Sequence, residues 1–197
     1  FNVERWKSDA SIKCYNYFFI FLMDHVYRIV IRSSNTQIKL QIVETINNND
    51  KPMCSANSSE LRQFGVNIGL TNVPCAYLTA ILLACKFKHK YNLINISKLP
   101  FELMLDCGKK LNTSNFVTAV LDGLRLQNML PYVEIEQSKM NMYKGELIYN
   151  YMINIRNKSI DEYKRQFSRY ISLNIIPNNI FDIYSNAERY IINKYLN

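Results

Sequence analysis

The chain has 197 residues, a formal charge of +8 and 48% hydrophobic content, enough to bury a core in one domain and too much for a disordered chain. Only 5 Gly and 5 Pro argue against a turn-rich β-sandwich. Five cysteines, with no two at Cys-x-x-Cys spacing, and two histidines leave little from which to build a zinc site, and they point to a reducing compartment.

In chain order, residues 1–24 begin polar and turn aromatic (Tyr15, Tyr17, Phe18, Phe19, Phe21), reading as an N-terminal extension that covers a core face or, as the alternative, binds a partner. The longest apolar run, Tyr17–Met23, is short of the roughly 20 residues a bilayer requires, and no signal-peptide pattern is evident. No membrane contact is expected, and the chain reads as soluble, cytoplasmic or nuclear. His25–Arg32 alternates Tyr27, Ile29 and Ile31 against Arg28 and Arg32, and Gln37–Val43 alternates Ile38, Leu40 and Ile42 against Lys39 and Gln41. Two such runs around a polar Ser33–Thr36 turn predict a β-hairpin with one face to be covered by helices. Residues 47–60 read as loop.

The most strongly patterned stretch is 68–90. Asn72 is placed to cap a helix over about 73–87, Pro74 sits in its first turn, and Val73, Tyr77, Leu78, Ile81, Leu82 and Cys85 share one face. The basic run Lys86-Phe-Lys-His-Lys90 ends it and reads as a solvated face, as do the other scattered cations. Further helices are predicted over about 99–111, 114–128 and 146–156, with 128–146 an irregular insertion or short strand. Ser159-Ile-Asp-Glu162 is a capping box opening a helix to 172, and Ser185-Asn-Ala-Glu188 repeats the pattern before a helix over 185–196.

Catalytic candidates are few. Cys75 at a helix start is the one thiol placed for nucleophilic chemistry, but His89 lies about 14 residues away on the same helix, on the order of 20 Å. Cys75 reads as a packing residue, and Asp106, Asp122, Glu134 and Glu136 as surface carboxylates. No phosphate loop, dinucleotide loop or metal motif is present, so no catalytic residue, metal or cofactor is expected, and the chain reads as a non-enzyme.

Four segments in order resemble the Skp-type adaptors of SCF ubiquitin ligases, a BTB/POZ-fold family related to elongin C. They are Arg28-Ile-Val-Ile-Arg-Ser-Ser-Asn35, Leu70-Thr-Asn-Val73 with Cys85-Lys86, Phe101-Glu-Leu-Met-Leu105, and Lys158-Ser-Ile-Asp-Glu-Tyr-Lys-Arg-Gln-Phe167 followed by Asn178-Asn-Ile-Phe181. The resemblance implies an α+β, mostly helical chain: a BTB/POZ-like domain over 25–128, an insertion over 129–145 and partner-binding helices over 146–197. It implies an adaptor that holds an F-box-type protein through Ile160, Tyr163, Phe167, Ile171, Ile180, Phe181 and Ile191. A cullin would meet Cys107, Gly108 and Lys109, and the BTB-like domain would form a dimer; nucleic acid is set aside as a partner. The +8 charge departs from the acidic character of that family. The charge and the 14 tyrosines motivate the alternative reading, a basic RNA-associated structural protein such as a ribosomal or nucleoprotein component.

Overall fold

The computed structural model describes residues 25–47, 49–95, 99, 101–107 and 115–196. Among these, β1 (His25–Ser33), β2 (Ile38–Ile46) and β3 (Asn49–Asn57) form an antiparallel meander, and β4 (Leu103–Asp106) pairs parallel with the free edge of β1. The strand order is β3-β2-β1-β4. The β1–β2 hairpin is the predicted one, closed by Ser34, whose amide donates to the Gln37 carbonyl at 2.9 Å.

Two expectations fail here, for different reasons. Residues 49–57 are a strand, not a loop. Asn47 takes a left-handed φ of +47°, which an Asn tolerates in a tight turn, and Pro52 is accommodated because β3 is an edge. Residues 103–106, inside the helix predicted over about 99–111, are β4. The open edge of β1 supplies backbone partners, and Leu103 and Leu105 are buried where they alternate into the core, so tertiary pairing overrides local propensity. This removes one support of the BTB/POZ reading, which needed Phe101–Leu105 as a helix. The coarser class stands: the fold is α+β.

Helix α1 (Val73–Lys90) is the centre of the molecule. The Asn72 side chain accepts from the Cys75 amide at 3.0 Å, as its capping position predicts. The predicted one-faced stripe understates its burial. Pro74–Cys85 are buried without interruption, because β2 and β3 lie against one part of the helix and α2 (Asn115–Leu126) and α7 (Ile180–Leu196) against others. Gly123 lets α2 come this close: a Cβ there would lie 2.7 Å from the Tyr77 carbonyl oxygen and 2.9 Å from Ala80 Cβ.

Residues 129–145, expected to be irregular, contain helix α3 (Gln137–Tyr143). Helix α4 (Glu146–Lys158) follows Gly145, whose φ of +99° and closeness to Ile180 and Tyr184 exclude a side chain. The predicted helix over 159–172 breaks at Phe167 into α5 (Ile160–Gln166) and α6 (Ser168–Ser172), with Ser159 capping α5. Ser185, read as a cap, lies inside α7 instead: a 3-10 turn over Pro177–Asn179 starts the helix earlier. Gly108 and Lys109 and the extension over 1–24 lie outside the described residues.

Candidate nucleic-acid interface

Two concentrations of arginine and lysine have opposite electrostatic fates. The first lies on the sheet face away from α1. Arg28, Arg32, Thr45, Asp50 and Asp106 share that face by strand register. Arg28, only 5% exposed, donates to both carboxylate oxygens of Asp50 at 2.6 Å, to Asp106 at 3.4 Å and to Thr45 Oγ1 at 3.1 Å, while Arg32 donates to Asp106 at 3.0 Å. Burial pushes the Asp50 carboxyl up, but hydrogen bonds from Arg28 and Thr45 outweigh it and hold the pKa below the ordinary carboxylate range. Two cations facing two carboxylates leave no net field for an anionic ligand. Asp106 and the equally buried Asp122 were expected on the surface; each is in fact buried as the counter-ion of an arginine.

The second concentration is where α1 ends. Its last five residues bring Lys86, Lys88, His89 and Lys90 to the negative end of the helix dipole. Lys86 pairs with Glu60, which sits in the 3-10 turn over Ser58–Phe64, and Lys90 Nζ donates to the Met53 carbonyl of β3 at 2.6 Å. Lys88 turns inward, and its desolvation lowers its pKa. The other end of the chain reaches the same place. His89 meets Tyr195 of α7 edge-on at 6.0 Å, and Lys194 Nζ donates to Gln63 Oε1 at 3.0 Å while lying 5.3 Å from the Phe64 ring centroid. Arg62, beside Gln63, is exposed with no carboxylate partner among the described residues. Lys86 is paired with Glu60 and Lys88 is buried, which leaves Arg62, Lys90 and Lys194 as the cations of this end that meet no carboxylate among the described residues. The surface so formed is cationic and carries the rings of Tyr91 and Tyr195, groups that suit a phosphate backbone and unpaired bases.

The residues singled out from sequence are not assembled into one surface. Phe167 is buried among Tyr151, Tyr163 and Tyr170; Ile180 and Ile191 are core; Phe181 is half-buried against Tyr149. Ile160 and Ile171 are exposed, Tyr163 is half-buried, and Cys107 is buried just after β4. Cys75 has its thiol pushed up to about 12 by burial, so it stays protonated at neutral pH. The Lys86–Lys90 run was visible in the sequence but read as solvated. Its convergence with Arg62 and Lys194, more than 100 positions further on, has no sequence signal.

Together these features define a class: a small α+β fold with one cationic, ring-bearing end. Residues 23–122 match the family model of ribosomal large subunit proteins 60S L5 and 50S L18. The chain belongs to that family. Among its relatives is the large ribosomal subunit protein uL18 of Dictyostelium discoideum, 31% identical over 197 residues, covering 83% of this chain and 68% of the relative. The uL18 proteins of Theileria annulata and Drosophila melanogaster are each 29% identical, covering 82% and 85% of this chain. The chain spans 65% and 67% of the length of those two relatives. These matches overturn the Skp-type resemblance, and with it the SCF adaptor function, the F-box and cullin partners and the BTB-mediated dimer. The four quoted segments were short apolar helix and strand patterns that unrelated α+β proteins share.

Proposed function

We propose that the chain is a non-catalytic structural component of the large ribosomal subunit, working in the cytoplasm as part of that particle and binding ribosomal RNA through the cationic end of α1. The family match over residues 23–122 carries this reading. It also reverses the expectation that nucleic acid is not a partner. The convergence of Arg62, Lys90 and Lys194 around Tyr91 and Tyr195 supports the choice of surface. Residues 25–128 are read as the RNA-facing body, with the helices after 146 bracing α1 from behind through α7.

The test is fluorescence anisotropy of a transcribed large-subunit ribosomal RNA fragment against the 197-residue chain as a function of salt. Three phosphate contacts predict a loss in affinity of about twentyfold to fortyfold between 50 and 200 mM salt. Lys90→Glu and Lys194→Glu are each expected to weaken binding and to lower the salt slope by about 1. Salt-independent binding, or binding untouched by both variants, removes the assignment of this surface.

A further inference from the structure

Tyr190 is the most exposed large apolar side chain of α7, at 59%, and it has no ring or hydrogen-bond partner among the described residues. The two rings at the cationic end are less free. Tyr91 is 37% exposed and packs on Phe87 at 4.7 Å, and Tyr195 is half-buried, edge-on to His89. Helix spacing fixes where Tyr190 stands. Ile183, Tyr190 and Lys194 follow 7- and 4-residue steps, which keep them within about 40° of one another around the helix axis. At one end of this stripe, Ile183 lines a small cavity with Val66 and Asn67. At the other, Lys194 Nζ donates to Gln63 Oε1 at 3.0 Å. Tyr190 therefore stands on the side of α7 that faces residues 63–67, one turn before Lys194.

The side chains around this ring are amides and a cation. Asn186 and Lys194 lie one turn to either side of it on α7, and Gln63 and Asn67 stand across from it; all four are exposed. The bond to Gln63 holds the Lys194 ammonium near the ring and leaves the Gln63 amide hydrogens to donate elsewhere. The nearest carboxylates are turned away or engaged. Glu188 lies on the opposite side of α7 and accepts from Tyr77, Asp182 is eight residues back, and Glu60 pairs with Lys86. An aliphatic partner group would cover the ring but give the amides nothing. A nucleobase uses both, since its face stacks on any ring and its edge carries the donors and acceptors that amides match. We infer that Tyr190 is the stacking platform for one unpaired nucleotide, with Gln63, Asn67 and Asn186 at the base edge and Lys194 on its phosphate. This names the class of RNA that the cationic end takes: a single-stranded segment, because the bases of a continuous duplex are already stacked on one another. It rests on the RNA reading above, but α7 lies outside residues 23–122, whose family match carries that reading.

The experiment titrates the 197-residue chain into two fluorescein-labelled probes, a 12-nucleotide oligouridine and a blunt 12-base-pair RNA duplex, and reads anisotropy against salt. Tyr190→Ala is expected to weaken oligouridine binding about tenfold, leaving its salt slope and the duplex affinity unchanged. Tyr190→Phe, which keeps the ring, should bind both probes like the parent. Lys194→Glu should weaken both and lower each salt slope by about 1. With 5-iodouridine in the oligomer, irradiation of the complex should crosslink it to Tyr190, located by mass spectrometry. Tyr190 is exposed, so the alanine variant should melt like the parent; if it does not, Tyr190→Leu replaces it, keeping apolar bulk without an aromatic face. The inference is overturned if the ring-less variant binds oligouridine as the parent does, if it loses duplex affinity equally, or if Tyr190→Phe fails like it. Where Lys194→Glu still weakens both probes, such a failure leaves the RNA assignment standing. Where neither probe binds, or binding ignores salt, the RNA assignment falls as well.

Discussion

Asp122 shows how much one residue decides inside this molecule. Its carboxylate accepts from Arg125 at 2.8 Å and from the Tyr143 hydroxyl at 2.7 Å, in a region where all three are buried. Tyr143 stacks on Tyr77 at 4.9 Å, and Tyr77 donates to Glu188 at 2.9 Å, so one chain of hydrogen bonds and a ring stack joins α1, α2, α3 and α7. Burial first, and the Asp122 carboxylate second, hold the Tyr143 phenol neutral far above the ordinary range. Removing the carboxylate strands a buried guanidinium, so Asp122→Ala is expected to lose about 3–5 kcal/mol of unfolding free energy, read from urea denaturation. A loss within 1 kcal/mol would mean that water or a rearranged Arg125 replaces the pair. None of this was legible in the sequence, where Asp122 on an amphipathic helix read as a surface residue.

At the scale of elements, α5 is the most exposed to local effects. Its seven residues bury no side chain, and its start is fixed by the Ser159 hydroxyl, which accepts from the Glu162 amide at 3.3 Å. A helix this short has little propagation to compensate a missing cap. Ser159→Ala is therefore expected to cost about 1 kcal/mol, and faster amide hydrogen exchange over α5 than over α1 would localise the loss. The sheet gives a second element-scale prediction. The folded Asp50 pKa lies below its unfolded value of about 3.9, so its stabilising contribution is complete above that value and is lost as pH falls through the folded pKa. Glu44, held low by hydrogen bonds from Tyr27 and then His25, adds to the loss in the same direction. The urea midpoint should fall as pH drops below about 4, and Asp50→Asn should flatten that fall. An unchanged acid profile in Asp50→Asn would show that the Arg28 network does not govern it.

Across the described residues, the positive charge is distributed unevenly. The sheet's arginines are neutralised in place, and Lys86 at the end of α1 pairs with Glu60, while Arg62, Lys90 and Lys194 meet no carboxylate among the described residues. Net charge by itself speaks to partners and association rates, not to fold. A chain at +8 self-repels slightly when alone, and a polyanion that binds only the folded form stabilises it by mass action.

The sequence by itself determined the β1–β2 hairpin, the capped central helix and the helices expected over about 114–128 and 146–156, found at 115–126 and 146–158. Each rests on local periodicity, joined in the central helix by the Asn72 cap, which short stretches encode. It also held the charge that pointed toward RNA. Tertiary structure decided the rest. Leu103–Asp106 became a strand because β1 offered it an edge. Asp106 and Asp122 went inside because arginines were waiting there. The basic run at Lys86–Lys90 became a surface only when the 3-10 turn and the end of α7 delivered Arg62 and Lys194 beside it. Those outcomes depend on contacts between residues far apart in the chain, and such contacts leave no periodic trace in one sequence.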